Sequence, residues 1–193
     1  MDKLKGILFA ALSAAPFGLI PLYANQAILD GVNNETILVY RYGIAGVLYA
    51  IYLLFRGTNM RLSRGELQEV TIAGVGGYGI TAFFLMWSYH YMPTGVATAI
   101  HFFYPVVVAL LMAIFYKERL PLTVRAGIVL AICGVYLLSW TPGEVKWMGL
   151  FFVLMSTLTY GCYITALNRP VLKRINPDVL TCYVLLFTAL FYL

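Results

Sequence analysis

Residues 93–139 read PTGVATAIHFFYPVVVALLMAIFYKERLPLTVRAGIVLAICGVYLLS, two long apolar runs joined by the charged boundary Lys117-Glu118-Arg119. An α-helix of about 20 residues spans the hydrocarbon of a bilayer, and each run has about that length. Strands cannot satisfy their backbone groups singly in hydrocarbon, and neither run shows the two-residue alternation of a barrel strand. Both therefore read as transmembrane helices.

Working outward, the same pattern recurs at 6–24, 36–55, 69–89, 94–116, 122–140, 147–167 and 178–193, which predicts seven spans. The fold class expected is all-α, a polytopic transmembrane helical bundle. Composition agrees, with 62% hydrophobic and only 11% charged residues, far from the balance of soluble domains. A soluble fold of this size would lack the polar surface to cover its core. The Met1 to Lys5 start followed by an apolar run resembles a signal peptide, but no polar mature domain follows, and 6–24 is long enough to span as an uncleaved first helix. The net charge of +5 does not indicate nucleic acid, because the basic residues form no patch interleaved with stacking aromatics. They mark loops. Lys3 and Lys5, then Arg56, Arg61 and Arg64, then Lys117, Arg119 and Arg125, then Arg169, Lys173 and Arg174 all fall on one side of the predicted bundle. The other side carries Asp30, Glu35, His90, Glu144 and the lone basic residue Lys146. The excess of Lys and Arg predicts a cytoplasmic N-terminus. Cys133, Cys162 and Cys182 lie in apolar runs without a CxxC pair, so neither a disulfide framework nor a zinc site is expected, and the three read as buried and inert.

An offset of 143 residues pairs Lys3, Gly6, Phe9, Ser13, Gly18 and Asn25 with Lys146, Gly149, Phe152, Ser156, Gly161 and Asn168, and without a gap continues from Leu29, Asn33, Glu35 and Tyr40 to Leu172, Asn176, Asp178 and Tyr183. Five predicted helices separate the copies. An odd number reverses the second copy in the membrane, the arrangement of inverted-repeat transporters. The division expected is a five-helix repeat over 1–142 and the start of a second over 143–193, with Thr141, Pro142 and Gly143 as the turn between them.

Few residues offer chemistry. Arg41 is the one fully charged side chain well inside a predicted span; it either faces water or a partner, as an intramembrane functional group, or snorkels to the outer headgroups. His101 and Pro105 share a face of the fourth run, where Pro105 frees the carbonyl of His101 and should kink the helix. With Tyr104 they either line a polar cavity or make a bend with a histidine hydrogen-bonded to a neighbour. Tyr160 and Tyr163, and Tyr40, Tyr42, Tyr49 and Tyr52 along the second run, serve packing or interfacial belts, or wall a cavity. Asn25 and Asn168, related by the repeat, suit helix ends. Gly74, Gly76 and Gly79 spell GxGxxG, but inside an apolar helix with no preceding strand this reads as close packing. Asn34-Glu35-Thr36 forms a glycosylation sequon on the outer side. With two histidines and no HExxH, GxSxG or paired membrane carboxylates, no enzyme, metal site or cofactor is expected.

At Arg41-Tyr42, and above all from Pro93 to Ser139, the sequence resembles the EamA family of the drug/metabolite transporter superfamily. The features carrying the resemblance are the small-residue helix start, Pro105 in mid-helix, Lys117-Glu118-Arg119-Leu120, and Gly127 and Gly134 in the fifth run. It implies ten helices in two inverted five-helix repeats, both termini in the cytoplasm of a bacterial cell, and a central cavity exporting or exchanging small organic solutes. In it Glu118 matches a glutamate after helix four, whose role is a local ion pair with Lys117 or Arg119. Tyr116-Lys117 stands where many relatives have Leu-Gly, which is expected to alter the turn. The last helices of the family are absent from these 193 residues, so either the chain is a piece of a longer protein or its second repeat is incomplete in life. The function expected is solute transport by alternating access, against a non-transporting membrane sensor or assembly subunit. The expected partners are a small organic solute and the lipid bilayer, not nucleic acid, with a homodimer left open.

Overall fold

A computed structural model of the chain describes residues 6–9, 12, 18–117, 120–139 and 146–193. Lys3, Lys5, Ser13, Glu118, Arg119, Thr141, Pro142, Gly143 and Glu144 lie outside the described residues. The chain forms α1 (Leu19–Leu29), α2 (Asn34–Phe55), α3 (Arg64–Ser88), α4 (Thr94–Phe115), α5 (Leu122–Ser139), α6 (Trp147–Ala166), the short α7 (Pro170–Lys173) and α8 (Pro177–Tyr192). Of these, α2, α3, α4 and α6 are long and apolar enough to cross a membrane, and α1, α5 and α8 are shorter apolar helices.

The helix ends follow local chemistry. Asn33 caps α2 by accepting from the Thr36 N–H, and Asn176 caps α8 by accepting from the Asp178 N–H, with Pro177 preset for the first turn. These two asparagines are partners under the 143-residue offset. A capping box between Ser63 and Glu66 starts α3 at Arg64, five residues ahead of the apolar run. The first run was expected to stop at Ala24, but Asn25 to Leu29 contain no breaker, and α1 runs on to Asp30 and to Gly31 at φ 85°. Asn25 therefore sits within α1 and not at its end, whereas Asn168 lies in the reversal after α6. Lys117 adopts φ 55° after α4. The turn thus keeps the left-handed conformation that a glycine would enter freely, at a cost of about 1–2 kcal/mol for a side chain.

Two apolar cores hold the bundle. One joins Leu38, Met86, Tyr89, Met92, Ile100 and Val153; the other joins Val70, Tyr163, Leu172, Ile175, Val179 and Val184, and Tyr78 packs against both. The second core brings the α2–α3 loop against the α6–α8 connection, and the Tyr183 hydroxyl donates to the Met60 carbonyl. Arg56, Arg61 and Arg64 thus share one end of the bundle with Arg169, Lys173 and Arg174. At the opposite end His90 meets Asn34 at 3.2 Å and the Lys146 N–H donates to the Tyr91 carbonyl. Asn34 is buried in that contact, which closes the sequon as the fold stands. Of the cysteines, Cys182 is buried, whereas Cys133 and Cys162 are exposed, Cys162 on the wall of a cleft between α3 and α6.

Helices α2 and α8 cross antiparallel through small residues. Gly43 faces Ala189, and Gly46 faces Leu186 closely enough that a Cβ would meet it at 2.8 Å. The 143-residue offset converts one of these pairs into the other. Gly74 lies against Val184, whereas Gly76 has open space and Gly77 fits against Tyr163, so the GxGxxG glycines pack only in part. Gly127 and Gly134 of α5 have nothing within 4 Å of a built Cβ.

A Cβ at Gly161 would stand 2.5 Å from Val107 Cγ1 and 3.0 Å from its Cβ, a stiff β-branched neighbour. Gly161→Ala is expected to destabilise the detergent-solubilised protein by about 1–3 kcal/mol, with Gly127→Ala unchanged in the same thermal melt. Lys117→Gly should raise stability by about 1 kcal/mol.

Candidate functional site

Two departures from regular helix shape the middle of the bundle. The segment Ile72–Gly79 of α3 is wound as a π-helix, made sterically easy by Gly74, Gly76, Gly77 and Gly79. Its carbonyls find hydroxyl donors: Thr81 to Gly77, Thr188 to Gly74 and Tyr192 to Gly79. In α4 the helix stops at His101 and restarts at Tyr104, with Pro105 in the first turn of the second half. Pro105 supplies no N–H to the carbonyl of His101 and its ring crowds that turn, so the break lies one turn ahead of the proline.

Between these departures lies a cavity of about 310 Å3. Its walls come from Arg41 and Tyr42 on α2, Tyr78 to Met86 on α3 and Tyr89 just after it, Thr98 to Tyr104 on α4 and Tyr160 on α6, with Ile20 and Pro21 of α1 at one side. Of the residues singled out from sequence, the structure brings Arg41, His101, Tyr104 and Tyr160 to this wall. It does not bring Pro105, which is exposed, because the break turns its ring outward. Tyr163 is also off the wall, one turn along α6 from Tyr160, buried against Tyr78 and Gly77. Tyr42, one of the second-run tyrosines that sequence left between packing and a cavity wall, also lines it, and Tyr78, Thr81, Tyr89 and Thr98 are lining residues that sequence reasoning did not select. Tyr78 had a signal, as the one aromatic in a run of four glycines; Thr81, Tyr89 and Thr98 had none, being ordinary polar residues of apolar helices.

The wall is rich in aromatic rings. Tyr104 meets Tyr160 edge-on at 4.6 Å between ring centroids, His101 lies 5.3 Å from Tyr160, and Tyr42 meets Tyr78 edge-on at 5.4 Å. Polar atoms are tied to neighbours across helices: His101 Nδ1 to Ser156 Oγ at 3.0 Å, the Tyr89 hydroxyl to Thr98 Oγ1 at 3.1 Å, and Thr81 Oγ1 to Thr159 Oγ1 at 2.8 Å. With Nδ1 engaged by the fully buried Ser156, His101 keeps Nε2 for the cavity. Arg41 is half-buried, and its guanidinium stands 5.0 Å from the Tyr42 ring. Among the described residues it has no carboxylate partner and no hydrogen bond. Among the described residues no acidic side chain lines the cavity, and no group of three metal-binding side chains occurs.

The model of the EamA-like transporter family matches residues 4–140. An uncharacterized transporter of Archaeoglobus fulgidus is 30% identical over 73% of this chain and 49% of its own length. A protein of Streptantibioticus cattleyicolor named "probable terminal-alkyne amino-acid exporter" is 27% identical over 80% of this chain and 52% of its own. The chain thus spans about half the length of these curated relatives. No solved structure matches it.

A cysteine thiol reacts as the thiolate, which requires water. In a background with the exterior Cys133 and Cys162 replaced by alanine, Leu85→Cys on the cavity wall should label readily with a water-soluble thiol reagent. Leu48→Cys on the outside of α2, where Leu48 is 61% exposed, should resist it in lipid.

Proposed function

The chain belongs to the EamA-like transporter family, and from that premise we propose that it carries small organic solutes bearing a carboxylate across a cell membrane by alternating access. The observation that carries this reading is Arg41: a guanidinium without an acidic partner among the described residues, on the wall of an aromatic cavity inside an apolar bundle. A charge at the centre of a membrane helix costs about 2.5–3.5 kcal/mol on insertion scales, a penalty that a cavity occupied by water or an anion relieves. Arginine matches a carboxylate in bidentate geometry, and rings of Tyr42, Tyr78, Tyr104 and Tyr160 offer an apolar surface to the rest of the solute. His101, on the same wall, offers Nε2 as one further polar contact. A cavity of about 310 Å3 is at the small end of the range for ligand sites, about 300–1,000 Å3. The relative named as an amino-acid exporter supports a solute of this chemistry.

On this reading, residues 1–142 form one five-helix repeat and 143–193 the start of a second, inverted one. The matched caps Asn33 and Asn176 and the reciprocal contacts of Gly43 with Ala189 and Gly46 with Leu186 support it. The clustering of basic loops at one end supports a cytoplasmic N-terminus.

Phenylalanine and phenylalaninamide share an apolar body and differ in the carboxylate. Proteoliposomes should take up the first and discriminate against the second. A charged hydrogen bond is worth about 1.5–3 kcal/mol, so Arg41→Ala should raise KM about ten- to hundred-fold with insertion intact, and His101→Ala by less. Equal handling of the two solutes would remove the carboxylate assignment, and unchanged uptake in both variants would remove the site.

A further inference from the structure

A second cavity, of about 230 Å3, opens at the basic end of the bundle between α3 and the end of α6. Glu69, Gly76 and Gly77 wall it on one side and Cys162, Tyr163 and Arg169 on the other. The same two helices wall the central cavity through Tyr78, Thr81 and Tyr160. What stands between the two spaces is one layer of phenol rings: Tyr163 borders the outer space, 5.5 Å from Tyr78 and 5.9 Å from Tyr160, which border the central one. On the wall of the second cavity Arg169 Nη1 donates to Glu69 Oε2 at 2.6 Å, the one ion pair among the described residues.

That pair contributes little to the fold. Its side chains are 53% and 26% exposed, and exposed pairs are worth about 0–1 kcal/mol. The seam beneath it is held by Val70, Leu172 and Val179. A bond that is short, directional and weak joins two elements reversibly. Between Glu69 and the central cavity, α3 passes through the π-helical, glycine-rich Ile72–Gly79, where a helix can bend without moving both of its halves.

We propose that the second cavity is the other half of the same passage and that the Glu69–Arg169 pair is the gate closing it toward the basic, cytoplasmic end. The proposal rests on the central cavity being the solute site, but its test requires no transport, so the two can fail separately. Ala82, 6% exposed on the wall of the central cavity, is replaced in an Ala82→Cys reporter carrying Cys133→Ala and Cys162→Ala. A membrane-impermeant maleimide is applied to the cytoplasmic face of inside-out vesicles. Glu69→Gln and Arg169→Gln should each raise the labelling rate several-fold, and the exchange of the two charges, Glu69→Arg with Arg169→Glu, should return it toward the parent value. Unchanged labelling in the single variants overturns the gate. So does a rise that the exchange fails to reverse, since loosened packing and not a broken ion pair would then be its cause.

Discussion

Hydrocarbon offers no hydrogen-bond partners, and the architecture follows from that constraint. A regular helix meets it by itself, so most of the described chain is helix, with its described loops at the two ends of the bundle. Any departure within the bundle must be repaid by a neighbouring donor or acceptor. The π-helical segment of α3 is covered by hydroxyls of Thr81, Thr188 and Tyr192, two of them from α8. The break in α4 is flanked by His101, which bonds Ser156 of α6. The places where backbone regularity lapses are therefore the places where polar side chains gather, and the cavity lies between them.

The glycines that permit this arrangement have different tasks. Gly77 and Gly161 admit Tyr163 and Val107 at distances no Cβ would allow, drawing α3 and α4 onto α6. Gly46 does the same for α2 and α8. In lipid, where apolar side chains gain nothing from leaving water, such close approach is a main source of helix association. The approach of backbones leaves room for the large rings of Tyr42, Tyr78, Tyr104 and Tyr160 to project into the middle. Tyr78 has the most connected position: it closes both apolar cores, lines the central cavity and touches the ring that separates it from the second.

The charge pattern divides in a similar way. Most basic residues lie in solvated loops, where they orient a chain but cost little. Arg41 is different because it is held inside the bundle against Tyr42 without a counter-charge among the described residues. Arg169 is different again, since it reaches across to Glu69 and ties the α6–α8 connection to the start of α3.

The sequence by itself determined the class and the helices, because a span of about 20 apolar residues needs no tertiary partner to be recognised. It also determined the resemblance to a transporter family, and it offered Arg41, His101, Tyr104 and Tyr160, conspicuous as polar or aromatic groups inside apolar runs. Tertiary structure alone decided which groups meet. Pro105 was legible as a break but not as a residue turned off the wall, and Tyr160 and Tyr163, three residues apart, border different cavities, which no spacing rule foretells. Asn25 reads as a helix end because asparagine suits chain reversals, yet α1 runs past it to Leu29 and the backbone turns at Gly31. The companions Thr81, Tyr89 and Thr98 were invisible for a related reason. Hydrogen bonds such as Tyr89 to Thr98 and Thr81 to Thr159 depend on rotation about helix axes, and that rotation is fixed by packing against other helices, not by the residues of one.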